Sequence, residues 1–173
     1  MTATRAHMRP RGRGDVVLLW VIGGAALALF AGLSVELSTL EPGVLALQLA
    51  ATAQRFGAIV HQWSPQQLAR YRAHLPLDGV LLLLYGSFGF LLATRTQLFA
   101  TLPRWLQRAA APWLPLAALF DAAENLLHSW LTAAPRFGEP AVYLGAAGCS
   151  LLKWLLLAGF ALLIAAALMR EPG

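Results

Sequence analysis

Charge is what this chain has least of. Only 12% of its 173 residues are Asp, Glu, Lys or Arg, against 58% hydrophobic, and the mean hydropathy is +0.62. An ordinary soluble domain carries about 25% charged residues, so this balance excludes that class and indicates one polytopic membrane domain. A single cysteine, Cys149, excludes an intrachain disulfide and a cysteine-based zinc site of the usual kind. A single lysine, Lys153, leaves the arginines to carry the rest of the positive charge. Those arginines lie outside the apolar runs and no nucleic-acid-binding motif accompanies them. The net charge of +5 therefore reads as a topology signal, and no nucleic-acid partner is expected.

What is present is a series of apolar runs. The tail, 1–14, holds Arg5, Arg9, Arg11 and Arg13 beside Pro10 and glycines, a composition that predicts disorder. Asp15 is placed to cap a first helix, and the run 16–37 has the ~20-residue length of a membrane span. It exceeds the ~7–15-residue core of a signal peptide, so an uncleaved first span is expected. From 42 to 74 the chain is expected to leave the bilayer. Gln48, Thr52 and Arg55 recur at i, i+4, i+7 and predict an amphipathic helix reaching His61, and Ser64-Pro65 opens a short polar helix ending near His74. A second span, 78–94, an inner interfacial segment, 95–111, a third span, 112–133, and a fourth, 141–169, complete a membrane domain over 15–170. Trp113 and Trp130 bracket the third span as interfacial anchors. The fold class is thus an all-α membrane protein: a four-transmembrane-helix bundle with an extracytoplasmic amphipathic helical segment between spans 1 and 2.

Arg5, Arg9, Arg11, Arg13, Arg95, Arg104, Arg108 and Arg170 collect on one side of this arrangement, and only Arg55, Arg70, Arg72 and Arg136 on the other. The positive-inside bias puts both termini in the cytoplasm.

Within the third span, Asp121, Glu124, Asn125 and His128 recur at i, i+3, i+4, i+7 and share one helix face. Leu119, Leu126, Leu127 and Trp130 face the other way. An acidic residue at mid-membrane costs about 2.5–3.5 kcal/mol, against about 0.3–0.6 gained from each strongly apolar one. Two acids cancel the helix's leucines, so this helix needs packed partners. Lys153 is the expected partner of Asp121. Each lies twelve residues from the outer loop, roughly 18 Å deep, and antiparallel neighbours bring them level. The Lys153 face continues through Ser150, Cys149, Ala146 and Gly145, whose small side chains either let helices approach closely or leave a cavity. In the second case Asp78 and Tyr85 line its outer half.

Three pieces occur together: Leu77-Asp78 followed by Leu84-Tyr85-Gly86, then Asp121-Ala-Ala-Glu124-Asn125, then Leu152-Lys153-Trp154. With Leu47-Gln48, Arg55 and Trp63 they resemble an uncharacterised family of bacterial four-span membrane proteins, over about residues 45 to 160. The resemblance implies the architecture, and Asp78, Tyr85, Asp121, Glu124, Asn125 and Lys153 as matching positions. It implies no reaction, and His128 stands outside it. The expected location is the bacterial cytoplasmic membrane.

Those six residues and His128 form the candidate site. Lys153 and Asn125 supply donors and the carboxylates acceptors for a small polar molecule or a lipid head group, in a site opening outward. The alternative is a structural or partner-binding subunit whose polar core only fixes helix packing. A proton relay through Asp121, Glu124 and His128 would require a dimer. A metal site at Glu124 and His128, i, i+4, is opposed by the charge of Lys153 and the lack of a second histidine in the spans. No cofactor and no metal are expected. A Ser150–Lys153 pair at i, i+3 suggests a catalytic dyad, but a serine bonded to its own helix is the commoner arrangement, so no enzyme class is indicated. His61 and His74 read as surface residues, and Trp154 as lipid-facing or interfacial. The expected partners are the lipid bilayer, a head group or small polar ligand, and a second copy of the chain.

Overall fold

The computed structural model describes residues 13–134 and 136–170. All regular structure among them is helical: α1 Arg13–Leu37, α2 Val44–Gln48, α3 Ala53–Gln62, α4 Pro65–Arg95, α5 Arg104–Leu131 and α6 Pro140–Leu168. The expected disordered tail falls almost wholly outside the described residues. Asp15 lies within α1 and not at its cap.

The segments Val16–Leu37, Pro65–Arg95 and Pro140–Leu168 are long and apolar enough to cross a membrane. α5 has similar length, but Asp121, Glu124 and His128 on it are buried against its neighbours. It forms the centre of the fold, packed between α4 and α6, while α1 packs on α4 and α2 and α3 lie against α6. Consecutive long helices run antiparallel. Gly23 of α1 meets Phe88 of α4 and Glu36 meets Arg70. Tyr71 and Tyr85 of α4 reach His128 and Asp121 of α5 in reversed order. Trp113 and Asp121 of α5 reach Leu156 and Lys153 of α6 in the same reversed sense.

Two expected boundaries are corrected. The amphipathic helix over 42–61 is broken into α2 and α3, because the Thr52 hydroxyl accepts the Arg55 amide at 3.2 Å and caps α3 instead of continuing a stripe from Gln48. The short polar helix to His74 and the second span are one continuous helix, α4. Ser64 does open it, with a capping box in which Ser64 and Gln67 exchange bonds of 2.9 and 3.2 Å. Pro76 removes an interior amide and costs about 3 kcal/mol. Contacts to α5 at Tyr71 on one side of Pro76 and at Asp78 and Tyr85 on the other hold the helix through it.

The expected segment 95–111 and the third span are not separate elements, since α5 begins at Arg104. Phe99 and Leu102 turn into a buried cluster, where Phe99 meets Phe160 edge-on at 5.8 Å between ring centroids. Trp113 is half-buried. Gly159 leaves room for its indole, which donates to the Leu156 carbonyl at 2.8 Å. Leu127 packs beside a second buried cluster built from Leu47, Phe56, Tyr71 and Tyr143, whereas Leu119 and Leu126 face outward as expected.

Candidate functional site

Tyr71, Asp78 and Tyr85 recur every seven residues on α4 and share its α5-facing side. Each is bonded to α5. Tyr71 Oη and His128 Nδ1 share a 2.6 Å hydrogen bond, Asn125 Nδ2 donates to Asp78 Oδ2 at 2.6 Å, and Tyr85 Oη donates to Asp121 Oδ2 at 3.2 Å. The stretch from Tyr71 to Tyr85 rises about 21 Å and that from Asp121 to His128 only about 10 Å. The two long tyrosine side chains make up the difference by converging on the shorter stretch of α5.

Lys153 enters from α6. Its ammonium donates to Asp121 Oδ1 at 2.8 Å and lies 2.7 Å from Glu124 Oε2. The second contact pairs the two charges at hydrogen-bonding distance, so one ammonium serves both carboxylates. Glu124 Oε1 lies 3.9 Å from His128 Nδ1, and Glu124 and His128 are each only 1% exposed. Two carboxylates on one ammonium in a dry interior attract it strongly, and breaking such a set leaves an uncompensated charge.

A cavity of about 720 Å³ opens beside this network. Asp78, Asp121, Glu124, Asn125 and Lys153 form its polar end, with Tyr71, His74 and Tyr85 at the sides. Leu27, Phe30 and Leu33 of α1 form an apolar wall, and Leu40, Val44 and Gln48 roof it. Trp154 Nε1 donates to Gln48 Oε1 at 3.0 Å and ties the roof to α6. Six of the seven candidate residues line this one cavity. The seventh, His128, belongs to the network and stands behind the lining.

The cavity is not where the small-residue face of α6 suggested. Ala146 and Ser150 are buried against neighbours, so their small side chains serve close approach. Ser150 Oγ donates to the Ala146 carbonyl at 3.0 Å, within its own helix. Gly145 has open space around it. His74, read as a surface residue, is buried between the Tyr71 backbone carbonyl and the cavity, because α4 is continuous there. His61 is exposed.

Tyr71 and the Gln48–Trp154 bond were not singled out from the sequence, and His74 was not placed in the site. The seven-residue spacing back from Tyr85 and Asp78 to Tyr71 was the available signal, and it was obscured by ending the polar helix near His74 and starting the span at Asp78. Among the described residues no three His, Cys, Asp or Glu side chains are grouped to hold a metal ion. The Lys153 ammonium occupies the space between Asp121 and Glu124. Comparison of the chain with protein-family models, with curated proteins and with solved structures gives no match.

Proposed function

We propose that this chain is an integral membrane protein whose buried polar cluster is the head-group end of a ligand site for a small polar molecule or a lipid. The observation that carries this reading is the cavity itself. Its volume of about 720 Å³ lies within the ~300–1,000 Å³ typical of ligand pockets, and it joins an apolar wall to a compact set of polar groups. Ionisable groups inside a membrane are expensive, and placing them on a cavity surface favours a binding role.

The topology we propose has four crossings, α1, α4, α5 and α6, in the bacterial cytoplasmic membrane. α4 and α6 run in the same direction, since each is antiparallel to α5. If both cross, the chain between them must return across the bilayer, and α5 is the helix available. Positive-inside bias then puts both termini in the cytoplasm and the α2–α3 roof outside, so that the cavity lies in the outer half.

A structural role is the second reading, favoured by the fact that the charged members satisfy one another: Lys153 with Asp121 and Glu124, Asn125 with Asp78. The experiment that separates the two is lipid and metabolite analysis of purified protein by native mass spectrometry, with melting curves before and after delipidation. A ligand site retains a defined small molecule whose removal lowers Tm and whose return restores it. Retention of none, with an unchanged Tm after delipidation and no stabilising compound in a polar-ligand and lipid screen, would leave the structural role.

A further inference from the structure

The reading of the cavity as a ligand site is the ground on which its ligand's chemistry can be deduced. Its polar end offers three carboxyl groups, on Asp78, Asp121 and Glu124, to one ammonium. That ammonium is already held between Asp121 and Glu124, and both oxygens of Asp121 are taken, by Lys153 and Tyr85. Asn125 directs its amide donor to Asp78. The acceptor capacity left over is the second oxygen of Asp78 and the Asn125 carbonyl, since Glu124 Oε2 is buried against the Lys153 ammonium at 2.7 Å; the second Asn125 amide hydrogen is left as a donor, but no second cation is. An anionic head would meet carboxylates with no free cation beside it. A head that donates hydrogen bonds and carries positive charge meets what the site lacks.

The opposite end is apolar. Among the described residues α1 is held chiefly by α4, and the exposed lining of the cavity includes Leu27 and Phe30 of α1 and Trp154 of α6, which marks an opening between those two helices. Leu27 and Phe30 are exposed. In a membrane-spanning bundle that opening faces acyl chains, so the way in is lateral.

We propose that the cavity binds a single-chain amphiphile with a cationic amine head, admitted from the bilayer between α1 and α6, its head at Asp78 and Asn125 and its chain along Leu27 and Phe30.

The test is differential scanning fluorimetry of the full chain in detergent with n-dodecylamine, n-dodecyl phosphate and ethylamine. It is run on wild type, on Asp78→Asn, which keeps an acceptor for Asn125, and on Leu27→Trp, which crowds the opening from an exposed position. The expected result is saturable stabilisation by dodecylamine at a concentration at least tenfold below that required of dodecyl phosphate or ethylamine. Asp78→Asn should weaken it at least tenfold, and Leu27→Trp should weaken dodecylamine similarly. Dodecyl phosphate binding as well as dodecylamine overturns the amine head while leaving a ligand site. Ethylamine binding as well overturns the chain and the lateral path. Undiminished dodecylamine binding by Leu27→Trp overturns the placement, even if Asp78→Asn does not fold. No stabilisation by any of the three overturns this proposal, and the site reading falls with it only if native mass spectrometry also finds no retained ligand.

Discussion

The two halves of α5 are held by opposite means. From Arg104 to Ala118 its neighbours fit by volume: Leu114 sits where a Cβ on Gly89 would be, Trp113 covers Gly159, and Ala118 lies against Gly86. From Asp121 to His128 the same helix is held by hydrogen bonds and charge to Tyr71, Asp78, Tyr85 and Lys153. The first half sets side chains of α5 directly against glycines of α4 and α6. The second keeps them apart by the reach of two tyrosines and a lysine, and the cavity lies beside it. Close packing is thus spent on one end so that the other can stay open.

The comparison is broken most severely at Lys153. Lys153→Met leaves Asp121 and Glu124 buried without their cation, and loss of one partner of a buried pair costs about 3–5 kcal/mol. The expected outcome is a large fall in Tm in detergent, or no folded protein. Combining it with Asp121→Asn and Glu124→Gln should recover most of the loss, since the unpaired charges are then gone. A triple variant as unstable as the single one would show that the lysine acts through packing and not through charge.

The volume-fitted half should respond differently. A Cβ at Gly89 would lie 2.5 Å from Leu114 Cβ, so Gly89→Ala must force α4 and α5 apart. Overpacking of this kind costs about 1–3 kcal/mol. Adding Leu114→Gly, which removes that Cβ, should relieve the clash and make the double variant less destabilised than the sum of the two singles, a coupling read by a double-mutant cycle of Tm or denaturant midpoints. Strict additivity would mean that the two helices do not depend on this contact. Trp113→Phe is milder. It removes one hydrogen bond to the Leu156 carbonyl, worth about 0.5–1.5 kcal/mol, and keeps an aromatic ring at the position while giving up part of the indole contact with Gly159.

The charge-held half was the more legible from sequence, for a physical reason. Asp121, Glu124, Asn125 and His128 stand out because polar groups are rare in apolar runs, and their spacing reports the helix face without reference to any neighbour. Lys153 could be matched to Asp121 by depth alone. The packing half carries no such mark: Gly89 opposite Leu114 and Gly159 under Trp113 are ordinary residues until the helices are assembled. The placement of the cavity was illegible too. Whether Ala146 and Ser150 faced a void or a neighbour depended on where α2 and α3 come to rest, and that is set by contacts such as Trp63 Nε1 donating to the Pro42 carbonyl at 2.9 Å, between residues far apart in the chain. Tyr71 was lost because the polar stretch ending near His74 reads as a helix of its own, separate from the span beginning at Asp78, and only packing on α5 shows the two to be continuous.

The smallest effect concerns the roof, which belongs to neither half of α5. Gln48 is joined to α6 by one bond from Trp154, in a partly exposed setting. Trp154→Phe keeps the ring and removes the donor, so its effect on global stability should stay within about 0.5 kcal/mol. Local opening is another matter, because α2 has only five residues and Leu47 is its buried contact. Amide exchange in detergent should therefore quicken over 44–50 in this variant while remaining unchanged over 71–85 on α4. If 44–50 keeps its wild-type exchange rate, the packing of Leu47 alone holds the roof, and the Gln48–Trp154 bond has no part in closing the cavity.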